Sequence, residues 1–400
     1  MPDFGPLAID GGEPIRTDML PYARQTIDDD DVAAVVATLR SDWLTTGPLV
    51  DEFEEAFARE VGSAHAVAVS SGTAALHAAV AALGIGAGDE VIVPAMTFVA
   101  TANCVVFQGG TPVFADVNRK TLLIDPDQVE ALLTPRTRAV IAVDFAGQPS
   151  NYDRLRKITD AHGIPLVADA CHALGARYRG RPVGSLADAS AFSFHPAKHI
   201  ATGEGGMLAT DNGDLARKAR VFRNHGITTD LHERAEKGSW HYEMVDLGFN
   251  YRLTDLQCAL GMKQLEKADS WLERRRKIAS RYRSGLLPIH GVEPLTTDLD
   301  VEHAYHLFVV RLSDQQLATR RGEFFAALRA EGIGVNVHYI PVHLHPFYKK
   351  RFETGPGLCP VAESEYDRIL SLPIFASMTD DDIEDVRTAV EKVALAFRDR

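Results

Sequence analysis

The chain has 400 residues, 46% of them apolar and 24% charged, with 42 basic and 55 acidic side chains and a formal net charge of -13. That is more chain than one hydrophobic core usually serves, so two domains are expected. The acidic balance argues against a broad nucleic-acid-binding surface and against docking on an anionic membrane, so any anionic ligand must be held by a local positive site.

The segment before about Asp51 is expected to pack across both domains or onto a partner. From Val61 to Thr210 short apolar runs alternate with helical stretches: HAVAV at 65 to 69, EVIVP at 90 to 94, TPVFAD at 111 to 116, RAVIAVDF at 138 to 145, PLVAD at 165 to 169, ASAFSF at 189 to 194 and GMLAT at 206 to 210. Such runs, buried on both faces and separated by helices, predict an α/β domain around a mixed, mostly parallel, seven-stranded sheet. Ligands on such sheets sit at the carboxyl ends of strands.

Beyond Asp255 the apolar spacing of three and four predicts one long helix through LQCALGMKQLEKADSWLERRRKIASRYRSGL, with the basic run from Arg274 to Lys277 on its solvated face. A smaller α/β region follows, with strands expected in HAYHLFVVRL and GVNVHY and a last helix after Thr379. The boundary is placed in the long helix, giving domains 1–265 and 266–400. Cys104, Cys171, Cys258 and Cys359 have no CxxC spacing, which suits packing in a reducing compartment. No basic-then-apolar signal opens the chain and no apolar run approaches the ~18 residues of a membrane span, so a cytoplasmic protein with no membrane partner is expected.

Lys198 lies in SFHPAKHIATGEGG, between a buried strand and a Gly-rich turn, where an amine can be held rigidly enough to form an imine with pyridoxal phosphate (PLP) and later shuttle protons. Taken alone, it could equally be a surface lysine. Four more features sit near strand ends. In SSGTAALHAA, Ser71, Gly72 and Thr73 open a helix whose free amides could seat a phosphate, or are an ordinary capped start. Asp169 ends the buried strand PLVAD, where a carboxylate needs a cation such as a protonated pyridine nitrogen, or serves as a helix cap. Phe98 in PAMTFVATAN could stack on a planar ring or be plain core. Ser193, five residues before Lys198, could add a hydroxyl to the phosphate. The order of these features along one sheet is what gives them weight together.

At these residues the sequence resembles the sugar aminotransferases of the DegT/DnrJ/EryC1/StrS family, a branch of the fold-type I PLP enzymes. The resemblance runs from PYARQTIDDDD to the last helix, through SDWLTTGPLVDEFEEAF, AVSSGTAALHAA, GDEVIVPAMTFVATAN, DACHALGA, SFHPAKHIATGEGGM and LGFNYRLTDLQCALG. It implies a PLP cofactor with Lys198 as the Schiff-base lysine, Asp169 at the pyridine nitrogen, His172 near the ring hydroxyl and Phe98 stacked on the ring. Gly72, Thr73, Ala74 and Ser193 would hold the phosphate. Asn250, in GFNYR, would reach the cofactor phosphate of a neighbouring subunit, making a homodimer with composite sites. Many relatives have Glu-Asp where this chain has Ala168 and Asp169, so one hydrogen bond of the family is lost while the aspartate is kept.

Within the family, SDWLTTGP, WHYEMVDLGFNYRLTD, ERRRKIASRY and VHYIPVHLHPFYKKRF look like the UDP-sugar C4 aminotransferases of the pseudaminic-acid type. The resemblance therefore implies transfer of nitrogen from an amino acid, glutamate, to the C4 ketone of a nucleotide-linked 4-keto-6-deoxy sugar. Arg24 and Arg252 are candidates for the diphosphate or the donor carboxylate. His338, Tyr339, His343 and His345 form a polar cluster whose irregular spacing suits a substrate-facing loop better than a metal site, and no metal is expected. A PLP-dependent sugar dehydratase would carry histidine at the lysine position, which fits here only if the alignment slips onto His199; a non-catalytic scaffold would not need Lys198, Asp169 and the phosphate turn together.

Overall fold

The computed structural model describes residues 4–229, 234 and 238–398. Its main sheet has seven strands: β1 His65–Val69, β2 Glu90–Pro94, β3 Thr111–Ala115, β4 Thr137–Val143, β5 Leu166–Asp169, β6 Ala189–Ser193 and β7 Gly206–Thr210. Their order across the sheet is β1-β7-β6-β5-β4-β2-β3. From β6 through β5, β4 and β2 to β3 all neighbours are parallel, and β7 runs antiparallel to both β6 and β1. All seven expected strands are present, and the sheet is mixed and mostly parallel.

Alternation along each strand supplies two cores. Val67, Val91, Val93, Ile141 and Leu208 point to one face, while Ala68, Ile92, Val140, Ala142 and Met207 point to the other. A strand that must satisfy both reads as an unbroken apolar run. The helix Gly72–Ala82 covers the first face with GTAALHAAVAA, whose many alanines let it lie close to the strands. The helix Pro48–Val61 covers the second with Phe53, Phe57 and Val61.

The long helix spans Asp255–Leu286, opened by a capping box of Thr254 and Gln257. Asp255 also accepts the amides of Gly47 (2.8 Å) and Leu49 (3.2 Å), tying the segment before residue 51 to the helix start. The helix Asp29–Leu39 packs along the same long helix, while residues 8 to 20 bond to the smaller lobe through Glu331, Gly332 and Lys392. The N-terminal segment thus spans both parts of the chain.

The smaller lobe has an antiparallel sheet of β8 Val292–Pro294, β9 Phe308–Leu312 and β10 Ile369–Leu372, with β9 in the middle. It packs on the second half of the long helix and on the last helix, Asp380–Arg398, through Tyr282, Leu286, Phe308, Val386 and Val390. Two expectations need correction here. GVNVHY is not a strand: Gly334 bonds to Leu20 and Asn336 to Ser371, after which the backbone leaves the sheet. The basic run is not all solvated either, because Arg275 is 2% exposed and gives its guanidinium to the carbonyls of Tyr305 (3.1 Å) and Ile374 (2.9 Å). Buried carbonyls at the lobe junction need such donors. Among the described residues no helix is long and apolar enough to cross a membrane.

Candidate active site

A cavity of about 630 Å³ opens at the carboxyl ends of β1, β5 and β6, roofed by residues 336 to 339 of the smaller lobe. Lys198 reaches it from the loop after β6, held by its amide bond to the His195 carbonyl (2.8 Å). Its Nζ lies 3.4 Å from His306 Nε2. Burial pushes the Lys198 ammonium below its ordinary value, with Cys171 and Asp169 pulling the other way. A lysine so placed gives up its proton more readily than one in water. Its neighbour His199 turns away and bonds the Ala304 carbonyl at 3.0 Å, so the residue facing the cavity is the lysine.

Asp169 sits at the end of β5 and is 6% exposed. Its Oδ2 accepts the Thr101 hydroxyl at 2.6 Å and its Oδ1 the Cys171 amide at 3.3 Å. No helix starts after it: residues 170 to 176 form turns.

The third wall is the start of the helix Gly72–Ala82. Ser71 Oγ caps it by accepting the Ala74 amide at 3.1 Å. The amides of Gly72 and Thr73 belong to the first turn and have no partner inside the helix. Gly72, Thr73 and Ser193 line the cavity, whereas Ala74 lies behind the cap with its amide already bound. A Cβ at Gly72 would stand 2.8 Å from both Cys171 Sγ and Ser193 Cβ. The glycine therefore keeps a narrow seat open between the helix start and two strand ends.

His172 Nδ1 accepts the Ala146 amide at 3.3 Å, which leaves the ring hydrogen on Nε2, 3.1 Å from the Tyr339 hydroxyl. Burial, then the nearby Lys198, holds the His172 imidazolium far below its usual range, so the ring is neutral. Burial likewise keeps the Tyr339 phenol protonated. Phe98 is 55% exposed, lines the cavity and meets the Tyr339 ring at 5.9 Å, which is not a core position. His338 also lines the cavity, bonded through Nδ1 to Ser371 Oγ at 2.8 Å.

The remaining expected residues are elsewhere. Arg24 borders a small space on the far side of Lys198 with His199 and Arg275. His343 is fully buried and bonded to Glu363 at 2.8 Å. Arg252 bonds Asn224 Oδ1 at 2.8 Å and lines a separate cavity with Arg217, Arg220 and Arg223. Asn250 pairs by its backbone with Asn224 and lies outside the Lys198 cavity. Thr97, His306, Tyr22 and Asn336 line the cavity and were not picked out from sequence. Thr97 and Thr101, four apart just past a strand end, were detectable as paired hydroxyls; nothing in HAYHLF separates His306 from a core histidine.

An amine, a buried carboxylate and a helix start thus converge on one cavity, and the glycine seat fits a small anion there. Fold and site together define a fold-type I, PLP-dependent aminotransferase. Residues 25–391 match the DegT/DnrJ/EryC1/StrS aminotransferase family, and the chain belongs to it. It is 45% identical over 381 residues to the spore coat polysaccharide biosynthesis protein SpsC of Bacillus subtilis, covering 94% of this chain and 98% of that protein. Among solved structures it is similar to the PMP form of Spr1654 from Streptococcus pneumoniae, with a TM-score of 0.89, 32% identity and coverage of 94% of this chain and 100% of that one. It is also similar to PseC of Helicobacter pylori, an aminotransferase involved in the biosynthesis of pseudoaminic acid, with a TM-score of 0.88, 31% identity and coverage of 95% and 100%.

Proposed function

We propose that this protein is a sugar aminotransferase that moves an amino group from L-glutamate to C4 of a nucleotide-linked 4-keto-6-deoxy sugar, UDP-linked and N-acetylated, for polysaccharide or glycan synthesis. The observation that carries the reading is the meeting of Lys198, Asp169 and the Gly72–Thr73 helix start in one cavity. The relatives that serve spore coat polysaccharide and pseudoaminic acid synthesis support the sugar.

When bound, PLP supplies an aldehyde that exchanges amino groups and a ring that takes up the electron pair of a broken C–H bond. In our reading the chain's own groups do the rest. Gly72, Thr73 and Ser193 would hold the phosphate, Asp169 would keep the proton on the pyridine nitrogen, and Phe98 would cover one ring face. The neutral His172 gives its Nε2 hydrogen to Tyr339, whose hydroxyl hydrogen would then be free to meet the ring oxygen. Lys198 Nζ takes the proton from the substrate carbon and returns it across the site, a task that suits an amine whose burial favours the neutral form. Tyr22, Asn336 and His338 face the sugar. Residues 1–265 would carry the cofactor and 266–400 would cover it. No arginine lines the cavity among the described residues; with Asn250 and Arg252 outside it, this supports a homodimer in which that segment serves the neighbouring subunit's site.

The test is a coupled assay offering UDP- and GDP-linked 4-keto-6-deoxy sugars with glutamate to the purified enzyme. We expect a visible cofactor band that glutamate bleaches, product only with a keto-sugar, and preference for UDP. Lys198→Ala should abolish turnover while the protein still folds. Wild-type turnover in that variant without added amine would reject the assignment, and equal use of both nucleotides would reject UDP specificity.

A further inference from the structure

Asp169 is held by more than its own strand. A carboxylate only accepts hydrogen bonds, so in the 2.6 Å contact between Thr101 Oγ1 and Asp169 Oδ2 the threonine is the donor. A hydroxyl has one hydrogen. The 2.7 Å contact between Thr97 Oγ1 and Thr101 Oγ1 must therefore be made with the hydrogen of Thr97. The direction of the whole chain is fixed: Thr97 gives to Thr101, and Thr101 gives to Asp169. Both threonines are buried, at 1% and 0% exposure, so the two bonds are made inside the protein. The Cys171 amide holds the other carboxylate oxygen.

We propose that Thr97 and Thr101 form a hydroxyl relay that fixes the charge and the aim of the Asp169 carboxylate, making Thr101 a positioning residue for the bound cofactor. This rests on the reading above that Asp169 faces the pyridine nitrogen. The ring nitrogen and the carboxylate compete for one proton. Each donor on the carboxylate stabilises its ionised form and so leaves the proton on the ring. A chained donor is also stronger than a single one, because each hydroxyl is polarised by the next. The backbone makes the arrangement rigid. Thr101 is in the first turn of the helix Ala100–Phe107, with its amide on the Phe98 carbonyl at 3.2 Å, so the turn that presents Phe98 to the cavity also sets the relay.

The experiment uses the holoenzyme with Thr101→Val, Thr101→Ser, Thr97→Val and the double valine variant. Two quantities are read: the pH midpoint of the bound cofactor's visible band, and kcat and KM for glutamate. Valine matches threonine in shape and removes only the hydroxyl function. For Thr101→Val we expect the band to remain and its midpoint to move upward, because a less protonated ring withdraws fewer electrons from the nitrogen of Lys198. We expect kcat to fall roughly 10- to 100-fold, the range for one charge-assisted hydrogen bond, with KM little changed. Serine should restore both quantities. Thr97→Val should shift both in the same direction by less, and the double variant should be no worse than Thr101→Val, since a broken relay cannot be broken again. If Thr101→Val does not fold, Thr97→Val carries the same spectroscopic test. A normal band whose midpoint and turnover are unmoved in the valine variants overturns the relay, as does simple additivity of the two. Absence of any band in the wild-type protein overturns instead the cofactor reading on which the relay rests.

Discussion

The seat beside Gly72 gives a test of the site that does not touch a reactive group. Gly72→Ala adds one methyl, and its carbon would stand 2.8 Å from Cys171 Sγ and 2.8 Å from Ser193 Cβ. Neither neighbour can step aside easily, since Ser193 ends β6 and Cys171 lies two residues past the end of β5 in the middle of the sheet. The helix start must therefore move outward by several tenths of an ångström. Overpacking of this kind costs about 1–3 kcal/mol. Because the strain falls on the two first-turn amides that would hold the cofactor phosphate, we expect it in binding: at 1.4 kcal/mol per decade, PLP affinity should drop about 5- to 100-fold. The assay is titration of the apoprotein with PLP, followed by absorbance, with thermal unfolding in parallel. Gly322→Ala is the control, a helical site where a Cβ meets nothing within 4 Å, and it should leave PLP affinity unchanged and raise stability by up to ~1 kcal/mol. Wild-type PLP affinity in Gly72→Ala would refute the phosphate seat.

Acid should unfold the apoprotein early. Burial holds His77 and His338 down to about 4 and His199 to about 3 against the ordinary 6.5, and holds His172, His303 and His306 well below it too. The unfolded chain takes protons that the folded one refuses, so stability is intact above pH 6.5 and falls below it, by roughly 3 kcal/mol for His77 alone between 6.5 and 4. Asp144, which burial pushes up to about 7, gains stability over the same range but is one group against six. A urea midpoint equal at pH 7 and pH 5 would count against this ledger. The composite site we propose would let Lys198→Ala and Asn250→Ala chains complement each other: a purified heterodimer should regain up to half the wild-type activity, once Asn250→Ala alone is shown to be impaired. Activity no higher than either parent would reject the cross-subunit role.

Where the chain's hydrogen bonds and burial repeat locally, the residues announce the structure. The strands of the main sheet were legible because each is a largely buried apolar run, and all but His65–Val69 have Gly, Pro, Asp or Thr at or next to an end; Asp169 and Lys198 were legible because the first ends such a strand and the second follows one. What was not legible depends on contacts between distant segments. The relay from Thr101 to Asp169 spans 68 residues. Arg275 lies in a run of charged residues and yet points inward, because the carbonyls it satisfies come from residues 305 and 374. The strand Ile369–Leu372, no shorter than Leu166–Asp169, was missed because its place in a sheet comes from pairing with Phe308–Leu312, far earlier in the chain. Ala74 followed the wording of the motif, and only the geometry shows its amide spent on the Ser71 cap.

The GVNVHY segment shows why one failure coincides with function. Its alternation of polar and apolar residues fits a strand, and a strand would send successive side chains to opposite faces. At most two of any four could then look into the cavity. In the structure Asn336, Val337, His338 and Tyr339 all line it. Four consecutive residues can share one wall only if the backbone abandons the pleat, which it does here after Asn336 makes its last pair of bonds to Ser371. Leaving the sheet places the Tyr339 hydroxyl against His172 and the His338 ring near Lys198, joining the roof in the smaller lobe to the floor built from β5 and β6. The cost of the lost ladder is borne by other bonds, from His338 to Ser371 and from the Tyr339 amide to Met96 sulfur at 3.4 Å. A segment that obeyed its own hydrophobic period would have given a better sheet and left the cavity without that wall.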